Sequence, residues 1–260
     1  MTTVSIIIVS FNACAELERC LESLHAAPPA ATHEIVVVDN GSTDASVAAA
    51  RRWPAVHVIE NTVNLGFARA TNLGIRASAG AHLLLLNGDT VVPAGAIDGL
   101  LAELDRDATV AVVGPRLVDE HGRGELSFGR MIGPLNELLQ QRRARGDVER
   151  QTRERQYPDW VSGACLLVRR SDAEAVGLLD ERFFMYTEDV DFCAAIRARG
   201  RRVLFTPDVE VQHLRGRSAA AAPKSTQRAY RRSQIAFYEK HHPGWARLLR
   251  MYLWLRRMPY

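Results

Sequence analysis

Short apolar runs alternate with amphipathic stretches along the first half of the chain. The run from Val4 to Val9 is rich in β-branched residues, which is typical of a strand buried on both faces of a sheet. It is followed by Leu17, Cys20, Leu21 and Leu24, which recur at helical spacing. Repetition of this alternation predicts right-handed βαβ units and a mostly parallel sheet flanked by helices.

The same criteria predict the other elements. Buried strands are predicted at Val4 to Val9, Ile35 to Val38, Val56 to Ile59, Leu83 to Leu86, Val110 to Val113 and Trp160 to Val168, and short strands at Val203 to Phe205 and Val209 to Gln212. Helices are predicted at Ala13 to His25, Ser46 to Arg52, Phe67 to Ser78, Ala94 to Leu104, Glu188 to Arg199, Ser225 to Lys240 and after Pro243. The Arg-rich run from Gln140 to Gln156 predicts a surface helix or loop, and Ser218 to Pro223 predicts a linker.

The composition is that of a soluble globular protein. Hydrophobic residues make up 47% and charged residues 24% of 260 residues, enough chain to bury a sizeable core. Met1 to Val9 lacks the basic region and cleavage site of a signal peptide, and no apolar run is long enough to span a bilayer. The four cysteines show no CxxC spacing, which favours reduced thiols. We therefore predict a cytoplasmic protein.

The net charge of +3 conceals an asymmetry between the body of the chain and its end. From Arg215 to Arg257 there are eleven Lys and Arg residues against one acid, Glu239, a local balance of +10 that leaves −7 for the remainder. A basic tail of this kind suggests an anionic partner, either a phospholipid surface or the phosphates of a substrate. The alternative is a solvated cationic helix face.

Polar residues follow each of the first four predicted strands. They are Ser10 to Asn12, Asp39 to Asp44, Asn61 to Gly66 and Asn87 to Thr90. In open α/β sheets, ligands bind beyond the carboxyl ends of the strands, so these segments predict a single binding edge. Each segment alone is also compatible with a turn.

Asp39 and Asp89 are the two strand-end carboxylates that favour ligand binding. Asp39 can accept hydrogen bonds from a ligand, with an Asx turn as the alternative, whereas Asp44 is better explained as a helix cap. Asp89 follows four leucines, where a carboxylate can hold a hard divalent cation, with a turn aspartate as the alternative.

Three acids lie close together between Phe183 and Phe192, namely Glu188, Asp189 and Asp191. Acids in the first turn of a helix are favoured by the helix dipole, which is the structural explanation. The aromatic flank would also desolvate a carboxylate and raise its pKa, as suits a general base. His213 ends a later apolar run and precedes a basic, glycine-containing loop, as a metal ligand beside a phosphate-binding loop would.

The ordered set of motifs resembles family 2 glycosyltransferases, and among them the bacterial rhamnosyltransferase-like branch. The matching segments are VSIIIVSFN (4–12), IVVVDNGSTDAS (35–46), NLGFARATNLGI (64–75), LLLLNGDT (83–90), WVSGACLLVRR (160–170), GLLDERFFMYTEDVDFCAAIRARG (177–200) and VQHLRGRS (211–218). The resemblance implies a GT-A fold, a Rossmann-like sheet flanked by helices, with a C-terminal helical appendage. It also implies a catalytic domain over residues 1–218, with a nucleotide-sugar half (1–115) and an acceptor half (116–218), and a basic tail over 219–260.

The resemblance also implies a role for each candidate residue. Asp89 and His213 would hold a divalent cation, Mn²⁺ or Mg²⁺, with Asn87 in place of the first acid of the family's DxD motif. Asp189, beside Glu188, would be the general base. Donor contacts are implied for Ser10, Asn12, Asp39, Asn72, Asn87, Asp89, Arg215 and Arg217. Acceptor contacts are implied for Trp160, Gly163, Ala164 and Asp191.

The implied activity is inverting transfer of L-rhamnose or another hexose from a dTDP- or UDP-sugar to a glycan or lipid-linked acceptor in cell-envelope polysaccharide synthesis. An inert nucleotide-sugar-binding module remains an alternative. A sugar nucleotidyltransferase needs a Gly-rich basic loop after the first strand, and a NAD enzyme needs GxGxxG, and neither is present. No nucleic-acid partner is expected. Trp245, Leu248, Leu249 and Tyr252 predict an amphipathic basic helix that lies on the inner face of the cytoplasmic membrane, packs on the domain or forms a homodimer.

Overall fold

The apolar runs of the sequence form the strands of one large sheet in the computed structural model, which describes residues 2–133, 147–214 and 223–256, with backbone only for 223–226. Within these ranges the strands are β1 Val4–Ser10, β2 His33–Asp39, β3 Val56–Glu60, β4 His82–Asn87, β5 Thr90–Val91, β6 Val110–Val118, β7 Phe128–Gly129, β8 Trp160–Val161, β9 Cys165–Arg169 and β10 Arg202–His213.

The helices mostly lie between consecutive strands. In the described ranges they are α1 Cys14–Ala26, α2 Ser46–Arg51, α3 Phe67–Arg76, α4 Ala96–Arg106, α5 Val148–Gln151, α6 Arg170–Ala175, α7 Glu188–Ala198, α8 Pro223–His241 and α9 Pro243–Leu255. The elements predicted in the first half of the chain are thus present, with bounds that differ by a few residues. Residues 140–146 of the charge run and 218–222 of the predicted linker lie outside the described residues, and α5 is the one helix described within that run.

Eight strands form the central sheet in the order β3-β2-β1-β4-β9-β6-β10-β5. The strands β3, β2, β1 and β4 are parallel neighbours, as the βαβ pattern predicts, and β6 is parallel to β10. The strand β9 runs antiparallel between β4 and β6, and β5 is antiparallel to β10. The predicted mostly parallel sheet is therefore confirmed, with two antiparallel insertions.

Two of the strand predictions were wrong in detail. The single strand expected over Trp160 to Val168 is split into β8, which pairs with β7 in a separate two-stranded sheet, and β9 of the central sheet. The break at 162–164 lies at the binding edge, where Gly163 and Ala164 face a cleft. The two short strands expected near 203–212 form one strand, β10, with a register irregularity between Thr206 and Glu210.

The core lies on both faces of the sheet, which explains why β1 is apolar at almost every position. Ile6 and Ile8 pack into the cluster that contains Leu17 of α1, whereas Ile7 packs on the opposite face with Ile75 of α3. Successive strand residues point to opposite faces, so a strand covered on both sides needs a continuous apolar run. Each such side chain contributes about 1.5–3 kcal/mol through burial.

The C-terminal helices pack on the helix α7 and the segment before it. A third apolar cluster joins Phe183 and Val190 to Phe237, Tyr238 and Ala246. This packing means that the described part of the predicted tail, from residue 223, is integrated with the rest of the molecule. No described helix has both the length and the apolar character needed to cross a bilayer.

Candidate active site

A cleft of about 860 Å³ opens at the carboxyl ends of β1 and β4. The structure brings three residues to it that are distant in sequence: Asp89 after β4, Asp189 in the first turn of α7 and His213 at the end of β10. Of the other predicted site residues, the cleft is also lined by Ser10, Asn87, Trp160, Gly163, Ala164 and Glu188. The carboxyl edge of the sheet thus gathers chemistry from both halves of the chain.

Asp89 and His213 form a close pair inside the cleft. Nε2 of His213 lies 3.3 Å from Oδ1 of Asp89, and Nδ1 lies 3.2 Å from Oε2 of Glu125. Burial of the imidazole lowers the pKa of His213, but hydrogen bonds to both carboxylates and their charges outweigh it and raise that pKa to about 9. Glu125 was not predicted from the sequence, because it lies in an irregular segment without a motif.

The Asp89–His213 pair fits a divalent cation that is completed by substrate. No group of three or more His, Cys, Asp or Glu side chains that could hold a metal occurs in the described ranges. A Mg²⁺ or Mn²⁺ ion in a phosphoryl site typically takes one or two protein ligands and fills its shell with waters and phosphate oxygens. Glu125 is placed to accept the Nδ1 proton of His213, so that Nε2, which faces Asp89, could ligate a cation that displaces its proton.

Asp189 is held in place by backbone donors. The N–H of Gly163 donates to Oδ2 over 2.9 Å, and the N–H of Val190 donates to Oδ1 over 2.8 Å. Burial raises the pKa of Asp189 despite these hydrogen bonds. A carboxylate that is oriented, partly open to the cleft and of raised pKa has the properties of a general base.

Glu188 is a buried carboxyl beside Asp189. Burial and then the charge of Asp189 raise its pKa well above the ordinary value, and Oε2 has no hydrogen-bond partner in the part of the chain that is described. Two adjacent acids in one desolvated turn cannot both ionise without mutual repulsion. The pair therefore titrates as a unit and keeps a proton to higher pH than either acid would alone.

A strained turn presents these two acids to the cleft. Tyr186 and Thr187 have φ values of 70° and 65°, in the left-handed region that non-glycine residues rarely adopt. Such conformations cost about 1–3 kcal/mol each and persist where the surroundings fix them. Here the preceding segment packs directly on Gly66, where a Cβ atom would lie 2.4 Å from the carbonyl oxygen of Phe184, and that oxygen accepts a hydrogen bond from the N–H of Phe67. The sequence carried no signal for this turn.

Asp39 ends β2 as expected and forms part of a turn. Its Oδ2 accepts hydrogen bonds from the N–H groups of Gly41 and Ser42, which is the Asx-type turn given as the alternative. Its Oδ1 is buried without a hydrogen-bond partner among the described residues, as is Oγ of Ser10 on the neighbouring strand. Buried polar atoms are nearly always satisfied in proteins, so these two acceptors suit a ligand that donates hydrogen bonds.

Besides Asp39, which is buried behind the lining, three predicted residues are not brought to the cleft. Asn12 ties two loops together by accepting from the N–H of Thr43, and Asn72 donates to the carbonyl of Leu179. Asp191 is buried and faces α8, where Lys240 and His241 occupy its two oxygens at 2.8 and 2.6 Å. Each side chain is already engaged in holding the fold, which argues against the predicted donor and acceptor contacts. Arg215 and Arg217 lie outside the described residues.

The helix α8 adds a wall to the cleft that was not predicted. Tyr230, Arg231 and Gln234 line it. No sequence pattern distinguishes these residues, because α8 is polar over most of its length, as a solvated helix would be.

Known proteins resemble this chain over most of its length. The family model "Glycosyl transferase family 2" matches residues 5–177. The N-acetylglucosaminyl-diphospho-decaprenol L-rhamnosyltransferase of Mycobacterium tuberculosis is 32% identical over 264 aligned positions, which cover 93% of this chain and 86% of that protein. The low-salt glycan biosynthesis hexosyltransferase Agl10 of Haloferax volcanii is 27% identical over 74% of this chain and 61% of its own length.

Solved structures share the fold. The mannosyltransferase PcManGT from Pyrobaculum calidifontis, in complex with GDP-Man and Mn²⁺, matches 95% of this chain and 68% of its own with a TM-score of 0.65 at 20% identity. GalNAc-T7 with UDP, GalNAc and Mn²⁺ matches 83% of this chain and 44% of its own, with a TM-score of 0.62 at 20% identity. These likenesses confirm the expected GT-A fold and concern the fold alone.

Proposed function

This chain belongs to glycosyltransferase family 2, and from that premise we propose that it transfers L-rhamnose from a dTDP-sugar to a hydroxyl group of a lipid-linked glycan, with inversion. Sugar transfer follows from the family. The choice of rhamnose is supported by the 32% identical mycobacterial rhamnosyltransferase, whose alignment covers most of both chains. We assign this transfer to the synthesis of a cell-envelope polysaccharide.

The observation that carries the proposal is the shared cleft of Asp89, His213 and Asp189. In our mechanism Asp189 accepts the proton of the acceptor hydroxyl while the hydroxyl oxygen attacks the anomeric carbon. The bond from that carbon to the diphosphate oxygen breaks, and the nucleoside diphosphate departs. A single displacement on the face opposite the leaving group inverts the anomeric centre. Gly163 keeps the carboxylate of Asp189 oriented for this transfer.

Asp89 and His213 would hold the divalent cation, with Glu125 fixing the ring of His213. When bound, such an ion neutralises the negative charge that develops on the leaving diphosphate. Oδ1 of Asp39 and Oγ of Ser10, which are buried without a described hydrogen-bond partner, suit the N–H and O–H groups of the donor's nucleoside. Asn87 also lines this side of the cleft. Because Ser10, Asp39 and Asn87 end β1, β2 and β4, we assign the ends of these strands to the donor site.

We place the acceptor against the residues around Asp189. Trp160, Gly163 and Ala164 line that side of the cleft, and the ring N–H of Trp160 donates to the carbonyl of Arg130 over 2.9 Å. We retain the division into a donor half at 1–115, an acceptor half at 116–218 and a tail from 219, with α8 contributing to the acceptor half.

We also propose that α9 rests on the inner face of the cytoplasmic membrane. Its inner side packs on the domain through Ala246, Leu249 and Leu253. Its outer side remains 48–70% exposed and is formed by Trp245, Leu248, Met251, Tyr252, Trp254 and Leu255. Aromatic and aliphatic side chains next to Arg247 and Arg256 suit an anionic lipid interface, where a lipid-linked acceptor would also reside. A homodimer through the same face is the competing arrangement.

A transfer assay tests the function. Purified protein with Mn²⁺ is given a panel of dTDP-, UDP- and GDP-sugars together with a diphosphate-linked N-acetylglucosamine acceptor. We expect transfer from dTDP-rhamnose, with release of dTDP and a product of inverted anomeric configuration by NMR. Release of no nucleotide from any donor would identify an inert binding module. Formation of a nucleotide sugar from a sugar phosphate would identify a nucleotidyltransferase.

A further inference from the structure

The helix α8 brings a cation into the cleft that the proposed chemistry does not use. Arg231 lines the cleft, and its Nη1 donates to Oε1 of Gln234 over 2.8 Å. Its Nε is buried and has no hydrogen-bond partner in the described structure. Guanidinium groups are normally satisfied when buried, and they bind phosphate through two parallel hydrogen bonds. Arg231 therefore has donors available for an anionic ligand.

The position of α8 places this cation on the side of the general base. The hydroxyl of Ser233 donates to the carbonyl of Met185 over 2.7 Å, and the ring of Tyr230 lies 6.0 Å from that of Tyr186 in an edge-on contact. Met185 and Tyr186 belong to the strained turn that leads directly into Glu188 and Asp189. The wall that carries Arg231 is thus built on the turn that presents the base.

Ion pairs clamp α8 in this position. The carboxylate of Asp191, two residues after Asp189, accepts hydrogen bonds from Lys240 and His241 of α8. Lys240 also donates to Asp180 over 2.8 Å. A helix fixed at its contact with the turn and again at its C-terminal end holds Arg231 in place at little further entropic cost. The arrangement is preorganised, as a ligand subsite requires.

The donor's phosphates have another location in the cleft. The Asp89–His213 pair, which suits a cation and its diphosphate, lies at the ends of β4 and β10 rather than on the α7–α8 side. The acceptor hydroxyl must reach Asp189, so the groups attached to the acceptor lie against the wall beside Asp189. Among the cations that line the cleft, Arg130 approaches the carboxylate of Asp159 within 3.8 Å, whereas Arg231 has no described carboxylate partner.

We propose that Arg231 binds a phosphate group carried by the acceptor, so that α8 forms a subsite for phosphate- or diphosphate-linked acceptors. This inference rests on the proposed function for the side of the cleft that the acceptor occupies. The proposal restricts the acceptor to anionic glycosides. It also gives one arginine of the basic C-terminal segment a role inside the cleft. The donor's diphosphate is the other source of the same chemistry, and the experiments below separate the two.

A binding measurement tests the subsite without relying on sugar transfer. Farnesyl diphosphate is titrated calorimetrically into full-length protein that is saturated with dTDP and Mn²⁺, so that the donor side is already filled. We expect wild-type protein to bind farnesyl diphosphate and not farnesol. Arg231→Ala should weaken binding about 10- to 100-fold, the range for loss of hydrogen bonds to a charged group, and Arg231→Lys should recover part of it.

Arg232→Ala is the matched control, because Arg232 is the next residue of α8 and is exposed to solvent. It should bind like wild type, and the thermal midpoints of all three variants verify that α8 remains packed. If wild-type protein binds no farnesyl diphosphate, or if Arg231→Ala binds it as tightly as wild type, the subsite is refuted. This result does not depend on which sugar, if any, is transferred.

Kinetics then distinguish acceptor from donor. With a diphosphate-linked acceptor, Arg231→Ala should raise the acceptor KM about 10- to 100-fold and leave the donor KM within about twofold. With a neutral alkyl glycoside of the same sugar, the variant and wild type should perform alike. A rise in the donor KM instead would assign Arg231 to the donor's phosphates and overturn the proposal. An equal loss of turnover with both acceptors would also overturn it.

Discussion

The backbone N–H of Gly163 donates a 2.9 Å hydrogen bond to Oδ2 of Asp189, which joins the loop between β8 and β9 to the first turn of α7. A Cβ atom at Gly163 would lie 3.4 Å from Cβ of Asp189, at van der Waals contact, so the two segments pack directly against each other. In the chain, β9 and α6 lie between the two segments. Their contact fixes the direction of the carboxylate, and it leads to the first prediction.

Asp189→Asn should lower kcat by about 10²–10⁴-fold, because an amide cannot accept the acceptor's proton. The donor dissociation constant should change little, since the amide oxygen can still accept from Gly163 and the proposed donor site lies at the ends of other strands. Single-turnover transfer and a donor titration measure the two quantities. Asp208→Asn is the control, because Asp208 is exposed on β10, five residues before His213, and does not line the cleft. This variant should retain wild-type turnover. Near-normal kcat in Asp189→Asn would remove this residue from the role of base.

Much of this site was predictable from local pattern. Buried strands read as continuous apolar runs, and residues after parallel strands converge at one edge, so Ser10, Asn87 and Asp89 were expected together. His213 was expected with them through the family motif. Strands and helices were predictable because apolar and polar residues alternate with short-range periods that can be recognised in one sequence.

The remainder was not predictable because it depends on tertiary contacts. An apolar run such as β9 has the same appearance whether it runs parallel or antiparallel, and its direction follows from the connections around it. Asn72 and Asp191 belong to family motifs, yet their partners are Leu179 and the helix α8. The turn at Tyr186 is held by neighbours and not by its own residue preferences.

The rate of transfer should depend on the protonation of the Glu188–Asp189 pair. Burial raises the pKa of Asp189, and the protonated acid cannot act as the base. We therefore expect kcat to fall as the pH decreases, with an apparent pKa above about 3.9, the ordinary value for aspartate. A profile of kcat from about pH 4.5 to pH 8 measures it, with Asp208→Asn as the control variant. A profile with no loss of rate over this range would contradict the raised pKa.

Glu188→Gln should stabilise the protein at neutral pH, because the buried carboxylate of Glu188 has an unsatisfied oxygen and lies beside Asp189. The folded-state pKa is raised, so the native protein is most favoured below the unfolded pKa of about 4.3 and loses stability as the pH rises toward the folded value. We expect a gain of about 1–3 kcal/mol at neutral pH.

Calorimetric melting of wild type and Glu188→Gln from about pH 4 to pH 8 tests this prediction. The gain corresponds to a rise of roughly 2–4 °C per kcal/mol for a protein of this size. The difference between the two midpoints should be small at the acid end and should grow with pH. A difference that is constant with pH would indicate a packing effect and not a charge effect. Glu174→Gln, at an exposed position on α6, should leave the midpoint unchanged.

Glu125→Gln should weaken Mn²⁺ binding in the presence of dTDP about 10- to 100-fold, the usual cost of losing an outer-shell partner of a histidine ligand. The physical reason is that Glu125 accepts from Nδ1 of His213 and so holds Nε2 toward Asp89. A Mn²⁺ titration followed by electron paramagnetic resonance gives the affinity. Glu120→Gln serves as the control, since Glu120 is exposed in the turn that leads from β6 to Glu125. Unchanged Mn²⁺ affinity in both Glu125→Gln and His213→Ala would argue against the metal site.

The double substitution Trp254→Ser and Leu255→Ser should abolish binding to anionic vesicles. These two side chains are 70% and 64% exposed, the highest values on the outer side of α9, so their replacement leaves the core intact. Each large apolar side chain contributes about 1.5–3 kcal/mol when it is fully buried, and each nearby arginine contributes about 1 kcal/mol at an anionic surface. Flotation with phosphatidylglycerol vesicles measures binding, and the control is Val63→Ser, which removes an apolar side chain that is 59% exposed and lies outside α9. Size-exclusion chromatography tests the competing arrangement. If wild-type protein stays at the bottom of the gradient and elutes as a dimer, while the double variant elutes as a monomer, this face binds a second copy of the chain.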